Sequence, residues 1–244
     1  GTLKKILGTV RAAIPVGFKH NTTPHKKAMP AEAPLKGGVV EREYTSAAHQ
    51  VGTLGGGNHF IEIQEGSDGF IWIMVHSGSR NLGKKVADHY NLKAKEMNHK
   101  WGKALPKGYD LAFLPVDSEE GDNYIREMNY CLAFAYANRL LMLECIKDAF
   151  KIFTDAVFQP EINIHHNYAS AEVHFGKEVY VHRKGATSAR AVQIGIVPGS
   201  QGTHSFIVRG KGNPESFMSC SHGAGRVMGR KQAARILNFK NEVQ

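Results

Sequence analysis

A glycine-rich loop that runs directly into a short alternating strand constrains the fold of this 244-residue chain more than any other feature. From Gly52 to Ile63 the sequence reads Gly-Thr-Leu-Gly-Gly-Gly-Asn-His-Phe-Ile-Glu-Ile. Consecutive glycines adopt backbone conformations closed to other residues, and they let a ligand come close to the main chain. The loop therefore predicts either a metal or phosphate site at the edge of a strand, or a tight turn beside a hydrogen-bonded core histidine.

The residues after this loop alternate with the period of a strand. Alternation predicts His59, Ile61 and Ile63 on one face and Glu62 on the other. His59 and Glu62 can then serve one site only if a bulge, or the length of the ligand, spans the two faces.

Charge and hydropathy restrict the partners of the chain. Its net charge of +9 at pH 7 favours an anionic partner and attracts phosphates at long range. No apolar run has the length that a membrane span requires, and the N-terminus lacks the hydrophobic segment of a signal peptide. We therefore expect a cytoplasmic protein with no membrane partner.

Helices and short strands follow one another along the chain, which predicts an α+β fold. Thr2–Val16 is predicted to be a short helical or mixed segment that ends at Pro15. Helices are predicted over Glu41–Gln50, Lys84–Trp101, from an Asp122 N-cap to Phe153, and over Val227–Leu237. Strands are predicted over Phe70–Val75, Glu161–Ile164, Glu178–Val181 and Phe206–Val208, the first of them buried on both faces. We expect a single domain over residues 1–244, in which mixed sheets and outer helices surround a central cleft. On the longest helix, Asn138 and Arg139 either reach a site or form a solvated pair, and we expect the solvated pair.

Several histidines stand where strands would deliver them to a cleft. Those that adjoin the ends of apolar strands are His59, His76, His166 and His182. A further histidine, His222, lies among small residues before a helix. Neutral imidazoles are common ligands of transition metals, so convergence of these side chains would form a metal site.

Three further segments combine flexible backbone with hydrogen-bond donors, as an anion site requires. They are Arg183–Gly185, Pro198–Ser200 and Gly223–Arg226. The chain has no Walker A loop, no Gly-x-Ser-x-Gly elbow and no zinc-protease helix motif. Phosphate chemistry by metals and arginines remains, with His222 either as a nucleophile through a ring nitrogen or as a helix cap.

Six of these segments, in this order, closely resemble the RtcB family of RNA ligases. They read Gly-Thr-Leu-Gly-Gly-Gly-Asn-His-Phe-Ile-Glu, His-Ser-Gly-Ser-Arg-Asn-Leu-Gly, His-Asn-Tyr-Ala, His-Arg-Lys-Gly-Ala-Thr, Val-Pro-Gly-Ser and Ser-His-Gly-Ala-Gly-Arg. The resemblance extends from about Thr45 to Arg230. It implies an RtcB-like catalytic domain that holds metal and nucleotide in a central cleft.

The activity that this resemblance implies is a GTP- and Mn²⁺-dependent RNA ligase. Such an enzyme joins an RNA 3′-phosphate or 2′,3′-cyclic phosphate end to a 5′-hydroxyl end, in tRNA splicing or RNA repair. In the family, the histidine that matches His222 attacks the α-phosphate of GTP, and the histidine–GMP adduct activates the RNA 3′-phosphate. Some members have archease as an activating partner.

The resemblance also implies roles for individual residues. His59, His76 and His166 would be ligands of a pair of manganese ions, and His166 is chosen over His165 because it directly precedes an asparagine. Asn58 would contact a nucleotide phosphate. The remaining nucleotide-binding residues would be Glu62, which would bind guanine, and Pro198, Gly199, Ser200, Ser205, Gly223, Ala224, Gly225 and Arg226. His182, Arg183 and Lys184 would bind RNA or phosphate.

The chain also departs from the family pattern. Residues 1–44 contain no match to the metal-bridging aspartate and cysteine of the family, and the nucleotide-binding lysine near the family's C-terminus is absent. We therefore expect an interior portion of such a ligase, or a natural variant without both ends. Two other functions stay open: a metal-dependent phosphoesterase with His222 as the acid, and a non-catalytic domain that binds guanine nucleotide or RNA ends.

Overall fold

The computed structural model describes residues 1–102, 111–200, 202–225 and 228–237. The chain divides into two compact units, Gly1–Asn163 and Ile164–Gln244. A single catalytic domain over both units stays a prediction. Within the described ranges, no helix is both long and apolar enough to cross a membrane.

The first unit is built on one long helix. Its elements are α1 (Thr2–Ala13), α2 (Val39–Gln50), β1 (Phe60–Glu65), β2 (Ile71–His76), α3 (Arg80–Lys100) and α4 (Glu119–Phe153). One stretch of α4, around Phe134, packs against α2 and α3, and the stretch around Met142 and Ile146 packs against α1 and the β1–β2 hairpin. Helix α4 therefore links the two hydrophobic cores of the unit.

The start of α4 differs from the predicted Asp122 N-cap. The hydroxyl of Ser118 caps the helix, because its Oγ accepts a hydrogen bond from the backbone N–H of Gly121 at 3.1 Å. Glu119, Glu120 and Asp122 then all lie in the first turn, where the helix dipole favours negative charge. Asp122, the predicted cap, is thus an acidic residue inside the first turn.

Strands β1 and β2 form an antiparallel hairpin in which Phe60 pairs with His76. Ile61 and Ile63 face the core, as alternation predicts, and Glu62 lies on the opposite face. The prediction that this second strand is buried on both faces is wrong, because Ile71 is 57% exposed. Ile73 and Val75 of this strand pack against the core, whereas Ile71 and Trp72 are exposed.

The second unit consists mainly of short antiparallel hairpins. Its elements are β3 (Asn167–His174), β4 (Lys177–Lys184), β5 (Ala186–Ser188), β6 (Ile194–Val197), β7 (Phe206–Arg209), β8 (Ser219–Ser221) and α5 (Arg230–Ile236). Strand β3 pairs with β4, β5 with β8, and β6 with β7. Helices and small sheets in one chain confirm the α+β prediction, whereas the central cleft stays a prediction.

The predicted strand over Glu161–Ile164 is absent from this described segment. Regular pairing begins at Asn167, opposite Lys184 on β4. The preceding segment is held on α4 instead, because Arg139 Nε donates to Asn163 Oδ1 at 2.7 Å. His166 therefore precedes a strand rather than following one.

Candidate functional site

His59 lies at the end of the glycine loop, just before β1, with one ring nitrogen fixed by the loop itself. Its Nδ1 is 2.9 Å from the carbonyl oxygen of Leu54. A carbonyl can only accept, so Nδ1 carries the proton and Nε2 carries the lone pair. Burial lowers the pKa of His59; the hydrogen bond to Leu54 opposes this shift, and the nearby Arg80 charge reinforces it. A neutral imidazole whose second nitrogen is held by a backbone carbonyl is typical of a metal ligand.

His76 lies beside His59, at the end of β2. The centroids of the two imidazoles are 6.2 Å apart, and the ring of Phe60 stacks on His76 at 5.1 Å. Glu62 lies on the same sheet face as His76, since Phe60 is paired with His76 and Glu62 is two residues further along β1. His59 precedes the strand, so the alternation that separated it from Glu62 does not apply to it. Asn58 is exposed in the loop.

The donor set of this histidine pair suits a transition metal, because both donors are imidazoles. Nowhere in the described ranges do three or more His, Cys, Asp or Glu side chains converge on one ion-sized position. The pair His59 and His76 could supply two ligands to a transition metal, and further ligands would have to come from other groups.

Gly55 gives a direct test of the loop geometry. It has a φ of +89°, and a Cβ at this position would collide with the guanidinium of Arg80 and lie 2.8 Å from Nδ1 of His59. Gly57 has a similar φ of +85°, but a Cβ there meets no atom within 4 Å. Both Gly→Ala changes share the backbone strain of about 1–2 kcal/mol. We expect Gly55→Ala to lower the free energy of unfolding by about 1–3 kcal/mol more than Gly57→Ala, because it also overpacks the loop. Equal losses in urea unfolding would contradict this geometry.

In the second unit, His222 is fixed in the same way as His59. Its Nδ1 is 2.7 Å from the carbonyl oxygen of Gly185, so Nδ1 donates and Nε2 carries the lone pair. The ring of His166 stacks on His222, with centroids 4.8 Å apart and planes 13° apart. The backbone N–H of Gly185 donates to the carbonyl of His166 at 2.9 Å. Gly185 thus joins the two histidines, and it is His166 rather than His165 that meets His222.

The predicted nucleotide-binding turns of this unit are close to each other and to His222. The backbone N–H of Ala224 donates to the carbonyl of Pro198 at 3.0 Å. The N–H of Gly199 donates to Ser205 Oγ at 3.0 Å, and the N–H of Ser200 donates to Thr203 Oγ1 at 2.7 Å. Gly223 and Gly225 flank Ala224 in the same turn. Arg226 lies outside the described residues.

Residues of β4 divide between two faces. His182 and Lys184 are exposed, whereas Arg183 is 2% exposed. The guanidinium of Arg183 forms two hydrogen bonds with the carboxylate of Glu172, Nη1 to Oε1 at 2.5 Å and Nη2 to Oε2 at 3.0 Å. This placement does not favour a phosphate contact by Arg183, because its charge is already balanced inside the unit. His182 and Lys184 are better placed for an anion.

The sequence interpretation missed several residues that support these histidines. The prediction that Asn138 and Arg139 are solvated is wrong. Asn138 is 0% exposed, and Arg139 Nη1 donates to the carbonyl of Ser77 at 3.1 Å. Burial lowers the pKa of Arg139 to about 10. Glu172 and Thr203 were also missed, because neither belongs to a motif. The sequence offered one signal for these supporting residues, namely Asn138 itself, a polar residue within the apolar pattern of α4.

Comparison with known proteins gives consistent matches. The chain matches the family model described as tRNA-splicing ligase RtcB over residues 3–244, beyond the motif blocks at both ends. It is 46% identical over 208 residues to the RNA-splicing ligase RtcB of Escherichia coli K12, covering 82% of this chain and 50% of that protein. It is 35% identical over 235 residues to the tRNA-splicing ligase RtcB of Thermococcus kodakarensis, covering 81% and 48%. The chain thus spans about half the length of these curated relatives.

Proposed function

This chain belongs to the tRNA-splicing ligase RtcB family, and on that premise we propose that it carries the nucleotide-transfer centre of an RNA ligase. The ligase uses GTP and Mn²⁺, and it joins RNA 3′-phosphate or 2′,3′-cyclic phosphate ends to 5′-hydroxyl ends. Its RNA belongs to tRNA splicing or to RNA repair, and archease is a candidate activating partner.

The observation that carries this proposal is the fixed tautomer of His222. The carbonyl of Gly185 accepts from Nδ1, so Nε2 is the ring nitrogen that would attack phosphorus. In the first step, Nε2 forms a bond to the α-phosphorus of GTP, and the bond to the bridging oxygen breaks. Pyrophosphate leaves with that electron pair.

The second transfer uses the same nitrogen as the leaving group. An oxygen of the RNA 3′-phosphate attacks the α-phosphorus, and the electron pair of the P–N bond returns to Nε2 of His222. The RNA 3′-phosphate is then joined to GMP through a P–O–P anhydride, which activates it. Attack by the 5′-hydroxyl on the RNA phosphorus releases GMP and forms the phosphodiester bond.

The turns around His222 suit the binding of a nucleotide. The segment Pro198–Ser200 is tied to Ala224 by a backbone hydrogen bond, and Ser205 holds the backbone of Gly199. We assign the nucleotide to this surface, with Gly223 and Gly225 giving it access to the main chain. For Glu62 and Asn58, in the first unit, the support is the family resemblance alone: Glu62 would accept hydrogen bonds from guanine, and Asn58 would donate to a phosphate.

We assign the metal role to His59, His76 and His166. His59 and His76 form the imidazole pair, and His166 stacks on His222. Mn²⁺ supplies positive charge that neutralises phosphate oxygens when it is bound. The Leu54 carbonyl accepts from Nδ1 of His59. Nε2, on the other side of the ring, therefore faces away from that carbonyl.

RNA binding falls to the exposed face of β4. His182 and Lys184 lie on it, and an exposed ammonium attracts phosphate as a point charge. Arg183 acts on the opposite face, where it holds Glu172.

A joining assay tests the proposal. We expect the protein, given Mn²⁺, GTP, an RNA with a 3′-phosphate and an RNA with a 5′-hydroxyl, to form a joined product that requires GTP. Loss of the terminal phosphate without GTP would instead identify the phosphoesterase, with His222 as the acid. Binding of GTP or RNA ends without any turnover would identify a binding domain.

A further inference from the structure

Asn138 is a fully buried polar side chain on α4 that touches two loops at once. Its Oδ1 accepts from the backbone N–H of Gly52 at 2.7 Å and of Thr53 at 3.1 Å. Its Nδ2 donates to Ser77 Oγ and to the carbonyl of Gly78, both at 3.1 Å. One side-chain amide therefore joins the start of the glycine loop to the turn that follows His76.

The contacts of Asn138 continue to the ring of His59. Ser77 Oγ, which accepts from Asn138, donates in turn to the carbonyl oxygen of Leu54 at 2.8 Å. The same oxygen accepts from His59 Nδ1 at 2.9 Å. Ser77 is also the residue directly after His76. A continuous chain of hydrogen bonds thus runs from α4 to the His59 imidazole, and it passes through the residue next to His76.

Only an amide can make all four of these contacts. A carboxylate accepts but does not donate, and an aliphatic side chain does neither. Buried backbone groups that lose their partners destabilise their surroundings, so the two loops would separate or admit water if Asn138 were replaced. Helix α4 is a rigid reference for the loops because it packs in both cores of the unit.

We infer that Asn138 is a positioning residue that sets the placement of His59 relative to His76. Its functional meaning, the preparation of an imidazole pair for Mn²⁺, rests on the proposed function. The positioning of His59 itself does not rest on the proposed function, because the hydrogen-bond chain exists without a metal.

Asn98 on α3 offers a matched control. It is 1% exposed, its Nδ2 donates to the carbonyl of Phe113 at 2.8 Å, and its Oδ1 accepts from the N–H of Phe113 at 3.2 Å. Asn98→Ala therefore removes a buried amide that bridges a helix to another segment, as Asn138→Ala does. It leaves the hydrogen bonds around Leu54 intact.

The first readout is exchange of the His59 Nδ1 proton with water, followed by NMR on ¹⁵N-histidine-labelled protein without metal. We expect exchange to be about tenfold faster in Asn138→Ala, because at least two hydrogen bonds that close the loop are lost. Asn98→Ala should leave it at the wild-type rate. Equal exchange in wild type and Asn138→Ala, or equal acceleration by both variants, would overturn the inference. If Asn138→Ala does not fold, Asn138→Asp decides: it keeps the acceptor and loses the donors, so unchanged exchange in that variant would overturn the inference.

The second readout is Mn²⁺ affinity, measured by the EPR signal of free Mn²⁺. Here we expect Asn138→Ala to bind about tenfold more weakly than wild type and Asn98→Ala, since groups that orient metal ligands have effects of this size. Wild type that does not bind Mn²⁺, but shows the expected proton exchange, would overturn the metal proposal and leave the positioning role supported. Unchanged affinity in a variant with faster exchange would overturn the functional meaning of the inference.

Discussion

Replacement of His222 is expected to abolish covalent attachment of GMP to the protein. Nε2 of this residue is the proposed nucleophile, and alanine has no atom that can form the P–N bond. The retained label should fall to background when Mn²⁺ and α-labelled GTP are incubated with His222→Ala and the protein is run on a denaturing gel. In wild type the label should be retained in base and lost in acid.

Two further variants separate chemistry from structure in this experiment. His222→Asn keeps an N–H that can donate to the Gly185 carbonyl but has no nucleophilic nitrogen, so it should fold normally and remain unlabelled. His165→Ala is the matched histidine control, because its ring contacts Tyr168 at 6.2 Å between centroids and has no assigned role. It should be labelled like wild type. Labelling of His222→Asn would show that another residue is the nucleophile.

Replacement of Glu172 should cause the largest loss of stability. Its carboxylate is 4% exposed and pairs with Arg183, whose side chain is 1% exposed. Glu172→Ala leaves the guanidinium buried without its counter-ion, which costs about 3–5 kcal/mol. Glu178→Ala, a carboxylate removed from the exposed part of the same hairpin, should change the free energy of unfolding by less than about 0.5 kcal/mol. Urea unfolding of both variants measures the difference, and similar losses would contradict the role of the ion pair.

Glu172→Ala should also weaken nucleotide transfer. Arg183 Nε donates to Ser219 Oγ at 2.9 Å, and Nη2 donates to the carbonyl of Phe217 at 3.1 Å. These contacts hold the segment that leads through β8 to His222. Loss of Glu172 frees Arg183 to move, so GMP labelling should decrease in Glu172→Ala even under conditions where the protein is folded.

The ion pair of Glu172 with Arg183 also makes stability depend on pH. Hydrogen bonds from Arg183 lower the pKa of Glu172 to about 2, from an ordinary value of 4.5, although burial opposes the shift. The unfolded chain therefore binds this proton more tightly than the folded chain. Its contribution is fully present above pH 4.5 and is lost as the pH falls towards 2. Glu172→Gln should flatten the decrease of unfolding free energy in that window, and an unchanged slope would contradict the assignment.

Sequence patterns were sufficient for most local features, although they predicted Asp122 instead of Ser118 as the N-cap of α4. The glycine loop, the helical spacing of α4 and the alternation of Ile61 and Ile63 all depend on neighbours within a few residues, and each is found as predicted. The motif that contains His222 likewise named the residue that the structure fixes through Gly185.

The other errors arose where the outcome depends on partners far along the chain. Whether Ile71 is covered depends on a second layer over the hairpin, which an apolar run alone does not reveal. The pairing of Glu172 with Arg183 depends on the register of β3 against β4, eleven residues apart. Asn138 meets Gly52 only after α4 has packed, 86 residues from its partner. Motifs therefore named the candidate site residues, and long-range packing determined which residues contact them.

The most direct test of the central claim is to identify the atom that carries GMP. Protein labelled with ¹⁵N-histidine would be treated with Mn²⁺ and GTP, digested in base, and analysed by mass spectrometry and by ¹⁵N–³¹P NMR. The account predicts GMP on the peptide that contains His222, bonded to Nε2, because the Gly185 carbonyl holds Nδ1. A bond to Nδ1, GMP on Lys184, or no adduct at all would contradict it.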